Sequence, residues 1–301
     1  MRPVMKDVFH VVVAIALILI VLGLITWSGF IQCRDIPGWC PVYYAIKGNP
    51  KTLIVFGETG LGNPDLLADA LRDPNGAHAT SISRQELAYV SGGNLKQFDL
   101  VIVTRAKKMS TSDLQAFMDY VDAGGRLVWT GDAGTELTKQ DQFLYMDDID
   151  TNESHEIISP WARKDTEKNE AVRFDQYLSL DYLGNWCQLN DCEITQQVGK
   201  MVPETGSDHK LIYGLATNLQ LIGDFALVKD KGIGSTRVLS VDTQRNVLDL
   251  ENNEIGKVFP LIVTSGVGEK IVYYAIPPEI LYNEPTYYKL FVENLYNGLL
   301  R

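Results

Sequence analysis

Residues Val8–Phe30 read VFHVVVAIALILIVLGLITWSGF, and no side chain from Val11 to Ile25 is polar. As a helix, a run this long reaches roughly 35 Å at about 1.5 Å per residue, and a bilayer core is about 30 Å thick. Each Leu, Ile, Phe or Val near mid-membrane favours insertion by roughly 0.3 to 0.6 kcal/mol. The run is therefore expected to span a bilayer, with Trp27 at an interface. It is longer than the apolar region of a secretory signal, about 7–15 residues, and no small-x-small cleavage site follows it. Gln32 before Cys33 fits a lipoprotein processing site poorly. An uncleaved signal-anchor is expected. Residues 1–7 would be cytoplasmic, 8–30 the membrane helix, 31–50 a juxtamembrane linker, and 51–301 one soluble domain with an insertion at about 138–205.

Orientation rests on few charges. Arg2, Lys6 and the terminal amine precede the helix, whereas Arg34 and Asp35 after it cancel. The positive-inside rule then puts the N-terminus in the cytoplasm and the body outside. The four cysteines, Cys33, Cys40, Cys187 and Cys192, lie on that outer side as two sequence-local pairs. Two disulfides would suit an oxidising compartment. Zinc ligation and free thiols are the competing readings, and the wide spacing of the first pair fits zinc poorly. Asn152-Glu153-Ser154 is a glycosylation sequon, usable only outside the cytoplasm.

The chain carries a net charge of −11, and residues 31–301 hold about −12 because Arg2, Lys6 and Asp7 leave the first thirty at +1. A body this acidic repels phosphate backbones, so nucleic acid is not an expected partner.

After residue 50 the pattern is alternating α/β. Thr52–Phe56, Leu100–Thr104 and Arg126–Thr130 are short apolar strands. Ala77–Ser83 is a weaker one. Asn63 and Pro64 open a helix as N-cap and N1, and Ser110 or Thr111 caps a second that ends at Gly124-Gly125. Continuous apolar strands alternating with amphipathic helices predict an open, mostly parallel, flavodoxin-like sheet. Glycine turns at Lys231–Gly234 and Ser265–Glu269 predict two C-terminal β-hairpins. Residues 138–205 break the pattern and read as loops and short helices. Tyr287–Leu300 reads as a closing helix.

Three stretches carry a family resemblance: FDLVIV at Phe98–Val103, YVDAGGRLVWTGDAG at Tyr120–Gly134, and PLIVTSGVGEKIVYYAIPPE at Pro260–Glu279. The chain resembles the class I glutamine amidotransferase-like superfamily over roughly residues 51–137 and 207–300. The resemblance implies a nucleophilic cysteine on the turn after Arg126–Thr130. This chain has Gly131-Asp132-Ala133 there, and its nearest cysteine in sequence is Cys187. Acyl transfer by that route needs a thiolate beside an imidazole. The fold is expected without that chemistry, as a binding or scaffold domain for a protein or glycan partner.

Other chemistry would sit at the carboxyl ends of the parallel strands. Glu58, Thr59, Arg105 and Asp132 fall there, as a ligand crevice or as helix caps and their counter-ion. A hydrolase acting on sugars or peptides through Glu58 and Asp132, helped by His155, is the alternative function. The loop GETGLGN lacks the Lys-Ser/Thr ending of a phosphate loop, so its glycines read as a tight turn. The histidines have no metal-ligand spacing, and neither a metal nor a cofactor is expected.

Overall fold

The computed structural model describes residues 3–27, 36–141, 157–165, 170–190, 192, 197–232, 234–249, 251–282 and 288–300. Cys33, Asn152 and His155 lie outside them. The chain forms two compact units, one of Met1–Asn49 with the last two residues and one of Pro50–Leu299.

The first unit contains helix α1 (Pro3–Trp27) and helix α2 (Trp39–Lys47). Within α1, Val8–Thr26 has a mean hydropathy of 3.2 and is long and apolar enough to cross a membrane. The segment read as linker is thus partly helical. Its prolines conceal this, because Pro41 falls in the first turn of α2, where no intrahelical N–H bond is needed. Trp39, Val42, Tyr43 and Ile46 recur at helical spacing and give α2 an apolar face.

The second unit is built on a nine-stranded mixed sheet. Its parallel half holds β1 (Lys51–Phe56), β2 (Ser81–Glu86), β3 (Leu100–Thr104) and β5 (Arg126–Thr130). Between β3 and β5, and just after β5, β4 (Lys108–Met109) and β6 (Glu136–Leu137) pair with each other. A small antiparallel sheet follows, of β7 (Ile157–Ser159), β8 (Ala162–Asp165) and β9 (Glu170–Arg173). Next come β10 (Leu180–Asn185), β11 (Gln197–Pro203), β12 (Gln220–Ile222), β13 (Ala226–Asp230), β14 (Ser235–Leu248), β15 (Glu254–Ser265) and β16 (Ile271–Tyr274). The large sheet runs β12-β11-β14-β15-β16-β5-β3-β1-β2. Links from β16 to β2 are parallel, and those from β12 to β16 are antiparallel.

Helix α3 (Pro64–Arg72) connects β1 to β2, and α5 (Thr111–Asp122) lies between β3 and β5; the short α4 (Gly92–Leu95) precedes β3. The first crossover moves along the sheet in one direction and the second in the other. Right-handed connections therefore put α3 and α5 on opposite faces. Leu67 and Leu71 of α3 and Leu114 and Phe117 of α5 are fully buried, as are Leu53–Val55, Val101–Val103 and Leu127–Trp129 in the strands. Asn63 caps α3 by accepting from Asp65 N–H and Leu66 N–H, and Ser110 with Asp113 forms a capping box on α5.

Two expectations need correction. The strands flanking Lys231–Gly234 are not hairpin partners: β13 pairs with β10, whereas β14 pairs with β11 and β15. Ala226, Leu227 and Val228 are fully buried, and β13 forms with β10 a two-stranded sheet distinct from the large one. The Ser265–Glu269 hairpin does form, as β15 and β16. The insertion, read as loops and short helices, carries β7–β10 and contributes β11 to the main sheet. It also holds α6 (Phe174–Leu178) and α7 (Trp186–Leu189). Strand β8 hides because it buries Arg163, where an apolar residue would have marked a strand. The last helix, α8, starts at Leu290.

Candidate functional site

The sheet order β2-β1-β3 places the topological switch between β1 and β3, so a ligand crevice would open between the loops that follow them. Those loops are stitched together. Gly57 N–H donates to Arg105 O at 3.1 Å, Arg105 N–H to Leu61 O at 2.9 Å, and Lys107 N–H to Thr59 O at 2.8 Å. Close approach explains the glycines. A Cβ on Gly62, whose φ is +121°, would stand 2.0 Å from Thr104 Oγ1, and one on Gly60 would meet Asp132 and Lys107 at 3.0 Å. The loop is glycine-rich because it packs against its neighbour.

The next loop joins the same fabric. Gly134 N–H donates to Ala106 O and Glu136 N–H to Lys107 O, both at 2.9 Å. The β4–β6 pair continues the contact past the strand ends. The turn Gly131–Gly134 is buried throughout. It lies under the insertion, where Trp161 Nε1–H donates to Ala133 O at 2.8 Å and Trp129 Nε1–H to the same oxygen at 2.9 Å. Tyr273 O–H donates to Gly131 O at 2.8 Å, and its ring meets that of Trp161 with centroids 5.7 Å apart. Arg163, 1% exposed, donates to Met109 O, Gly134 O, Pro160 O and Glu136 O.

The four expected crevice residues are dispersed by this closure. Glu58, Thr59 and Arg105 are exposed on the rim, and Arg105 has a left-handed φ of 51°. Asp132 is buried at 2% exposure. Its Oδ1 accepts from Leu61 N–H at 2.7 Å and its Oδ2 from Asn185 Nδ2 at 2.9 Å, with Lys107 Nζ 3.8 Å away. Among the described residues, no hydrogen bond or ion pair joins Glu58 or Arg105 to Asp132. Asp132 latches three loops together across the strand ends. Among the described residues its carboxylate caps no helix.

Polar residues that sequence reasoning passed over surround Asp132. Lys107 Nζ pairs with Glu136 at 2.9 Å. Tyr182 O–H donates to Asn185 Oδ1 at 2.8 Å, and burial, reinforced by the Asp132 charge, pushes the phenol up. Burial, with Asp132 a smaller contribution, raises the Asp224 carboxyl, although Cys187 N–H donates to it at 2.9 Å. No group of three or more His, Cys, Asp or Glu side chains among the described residues could hold a metal ion. Cys187 and Cys192 form a disulfide with Cα atoms 5.2 Å apart. The Asn185 signal was available in part, as an N-cap type three residues before Gln188 in what is now α7.

Neither a family model nor a curated protein sequence matches the chain. Solved structures do. A ThuA-like protein from Bacteroides uniformis superposes with TM-score 0.53 at 12% identity, over 82% of this chain and 91% of its own. The chain is similar in fold to ThuA-like proteins. It also matches a β-galactosidase from Rahnella sp. R3 (TM-score 0.50, 14% identity, 84% of this chain) and one from Bacillus circulans sp. alkalophilus (0.51, 11%, 83%). It spans only 32% and 30% of those two enzymes. At these identities the likeness is one of fold, and activity has to be argued from the site.

Proposed function

We propose that the protein is a membrane-tethered binding or scaffold domain of glutamine amidotransferase-like fold that catalyses no reaction of its own. One observation carries this. The turn after β5 that holds the nucleophile in catalytic relatives is here Gly131-Asp132-Ala133-Gly134, without a thiol or hydroxyl, and it is sealed under Trp161 and Arg163. Nucleophilic catalysis needs a reactive group that substrate can reach. The ThuA-like neighbour supports membership of the superfamily at the level of fold. The exposed rim of Glu58, Thr59 and Arg105 and the acidic insertion then serve recognition of a protein or glycan. The hydrolase alternative loses its central group, because both oxygens of Asp132 are already bonded inside the protein.

The turnover experiment is direct. Full-length protein in detergent, presented with chromogenic glycosides and peptide esters, should give no rate above the blank. A rate that falls at least about a hundredfold in Asp132→Asn would establish the hydrolase instead.

In the same proposal α1 is an uncleaved signal-anchor, the N-terminus is cytoplasmic and the body lies outside. The Cys187–Cys192 disulfide supports an oxidising compartment. In intact cells, a membrane-impermeant maleimide should label these cysteines after impermeant reduction. Labelling that requires permeabilisation and no reduction would reverse the topology.

A further inference from the structure

Within the first unit, α2 doubles back along α1. Trp39, at the start of α2, donates through Nε1–H to Thr26 Oγ1 at 2.9 Å, and both residues are buried. Beyond that bond the helices flank an apolar groove whose lining includes Leu19, Ile20 and Gly23 of α1 and Tyr43, Ile46 and Lys47 of α2. The far end of α2 therefore stands beside Leu19 and Ile20, roughly 10 Å back along α1 from Thr26 at about 1.5 Å per residue. This packing conflicts with a spanning α1. Val8–Thr26 reaches roughly 28 Å against a hydrocarbon core of about 30 Å, so the whole stretch is needed to cross. Leu19 then lies roughly 10 Å inside the hydrocarbon. The end of α2 would lie there too, followed by the exposed, non-helical Gly48 and Asn49. Irregular backbone facing lipid does not occur at that depth, because its polar groups find no partner. Raising both helices together until α2 clears the hydrocarbon leaves only Val8–Leu19 inside, roughly 18 Å, which is too short to span.

We propose that the α1–α2 pair is closed only outside a bilayer, and that on insertion α2 parts from α1 and rests on the membrane surface as an interfacial helix. The inference rests on the reading of α1 as a membrane helix. Three features fit α2 to that surface. Trp39, Tyr43 and Tyr44 are amphipathic aromatics, which favour the headgroup level. Val42 and Ile46 stay 42% and 82% exposed in the closed pair, and a lipid surface covers such apolar area. The closed pair is also loosely packed, because a Cβ on Gly23 would meet nothing within 4 Å, so separation forfeits little contact there. Two ties survive the movement. Thr26 ends the spanning stretch at the membrane surface, which leaves its bond to Trp39 as the pivot. Tyr44 O–H donates to the carbonyl of Leu300, which belongs to the same unit, and α2 keeps that bond when it leaves α1.

The test uses the full-length chain with the photoreactive residue p-benzoylphenylalanine in place of Tyr43. After reconstitution into phosphatidylcholine liposomes and illumination, mass spectrometry should find its adducts on lipid and none on residues 19–24 of α1. The uninserted form is the same chain carrying Leu17→Lys and Ile18→Lys, synthesised cell-free without lipid. The two charges sit outside the groove, oppose insertion and keep the helix in water. Its adducts should fall on residues 19–24. An inserted chain that labels residues 19–24 as strongly as the lysine variant overturns the opening. A lysine variant without those adducts overturns the closed pair, and the proposal with it. Alkaline carbonate extraction of the liposomes tests the anchor separately. Release of the chain into the supernatant overturns the membrane reading itself, whereas retention together with adducts on residues 19–24 overturns only the movement of α2.

Discussion

Replacing Arg163 with alanine should destabilise the Pro50–Leu299 unit by about 3–5 kcal/mol, the range for removing one partner of a buried charge network. The guanidinium is 1% exposed and reaches carbonyls from three segments: Met109 before α5, Gly134 and Glu136 after β5, and Pro160 beside it. Asp141, itself buried, stands 3.7 Å from it and accepts from Thr111 N–H at 2.6 Å and from the Thr111 hydroxyl at 2.9 Å. Without the cation, several buried carbonyls lose their donor and the buried Asp141 carboxylate, still bonded to Thr111, loses its counter-charge. Each such orphan costs about 1–3 kcal/mol. Arg72→Ala is the control. Its partner Asp69 is a surface neighbour 3.8 Å away, and exposed changes of this kind stay within about 0.5 kcal/mol. Guanidinium titrations of full-length protein, followed by fluorescence, would compare the two variants. Equal losses would show that Arg163 is no keystone of the closed edge.

The role of Arg163 marks where sequence reading stops. Strands β1, β3 and β5, the Asn63 and Ser110 caps and the stop at Gly124 were all legible, because each depends on residues near in sequence. Strand β8 was not. Its inward position is an arginine satisfied by carbonyls 27 to 54 residues away, and a charged residue in a polar stretch reads as surface. The same limit governs the site. Three polar strand ends at one edge could be seen in the sequence. Whether they face a cleft or each other depends on backbone bonds between loops, and these turned Asp132 inward and left Glu58 and Arg105 on the rim. The Lys231–Gly234 turn shows the converse: local turn chemistry was present, but β13 pairs with β10, about 45 residues earlier, in a sheet of its own, and no residue near the turn marks that long-range partner.

Glu279 should make stability fall as pH rises from the ordinary carboxyl range toward neutrality. It sits on the single helical turn Pro278–Leu281 and is fully buried. Its Oε1 accepts from the Thr104 hydroxyl at 2.6 Å and from Asn63 N–H at 3.1 Å, whereas Oε2 is buried without a partner. Burial pushes the carboxyl up, and the hydrogen bonds from Thr104, from its own backbone N–H and from Asn63 only partly oppose this. With the folded value above the unfolded one, the folded state binds the proton more tightly. The stabilisation is complete below the unfolded value and is lost as pH rises through the folded value. Glu279→Gln keeps an acceptor for Thr104 and Asn63 and removes the titration. The wild-type minus Gln stability difference should therefore decline with rising pH, at no more than about 1.4 kcal/mol per unit, the limit for one proton. Other titrating groups cancel in that difference. A flat difference from pH 4 to pH 8, by denaturant titration, would refute the assignment. The bonds at stake tie the Pro278 turn to the end of β3 and to the loop that presents Glu58 and Thr59; they strengthen when Glu279 ionises, so the cost of ionisation is the desolvation of the buried carboxylate and not the loss of these ties.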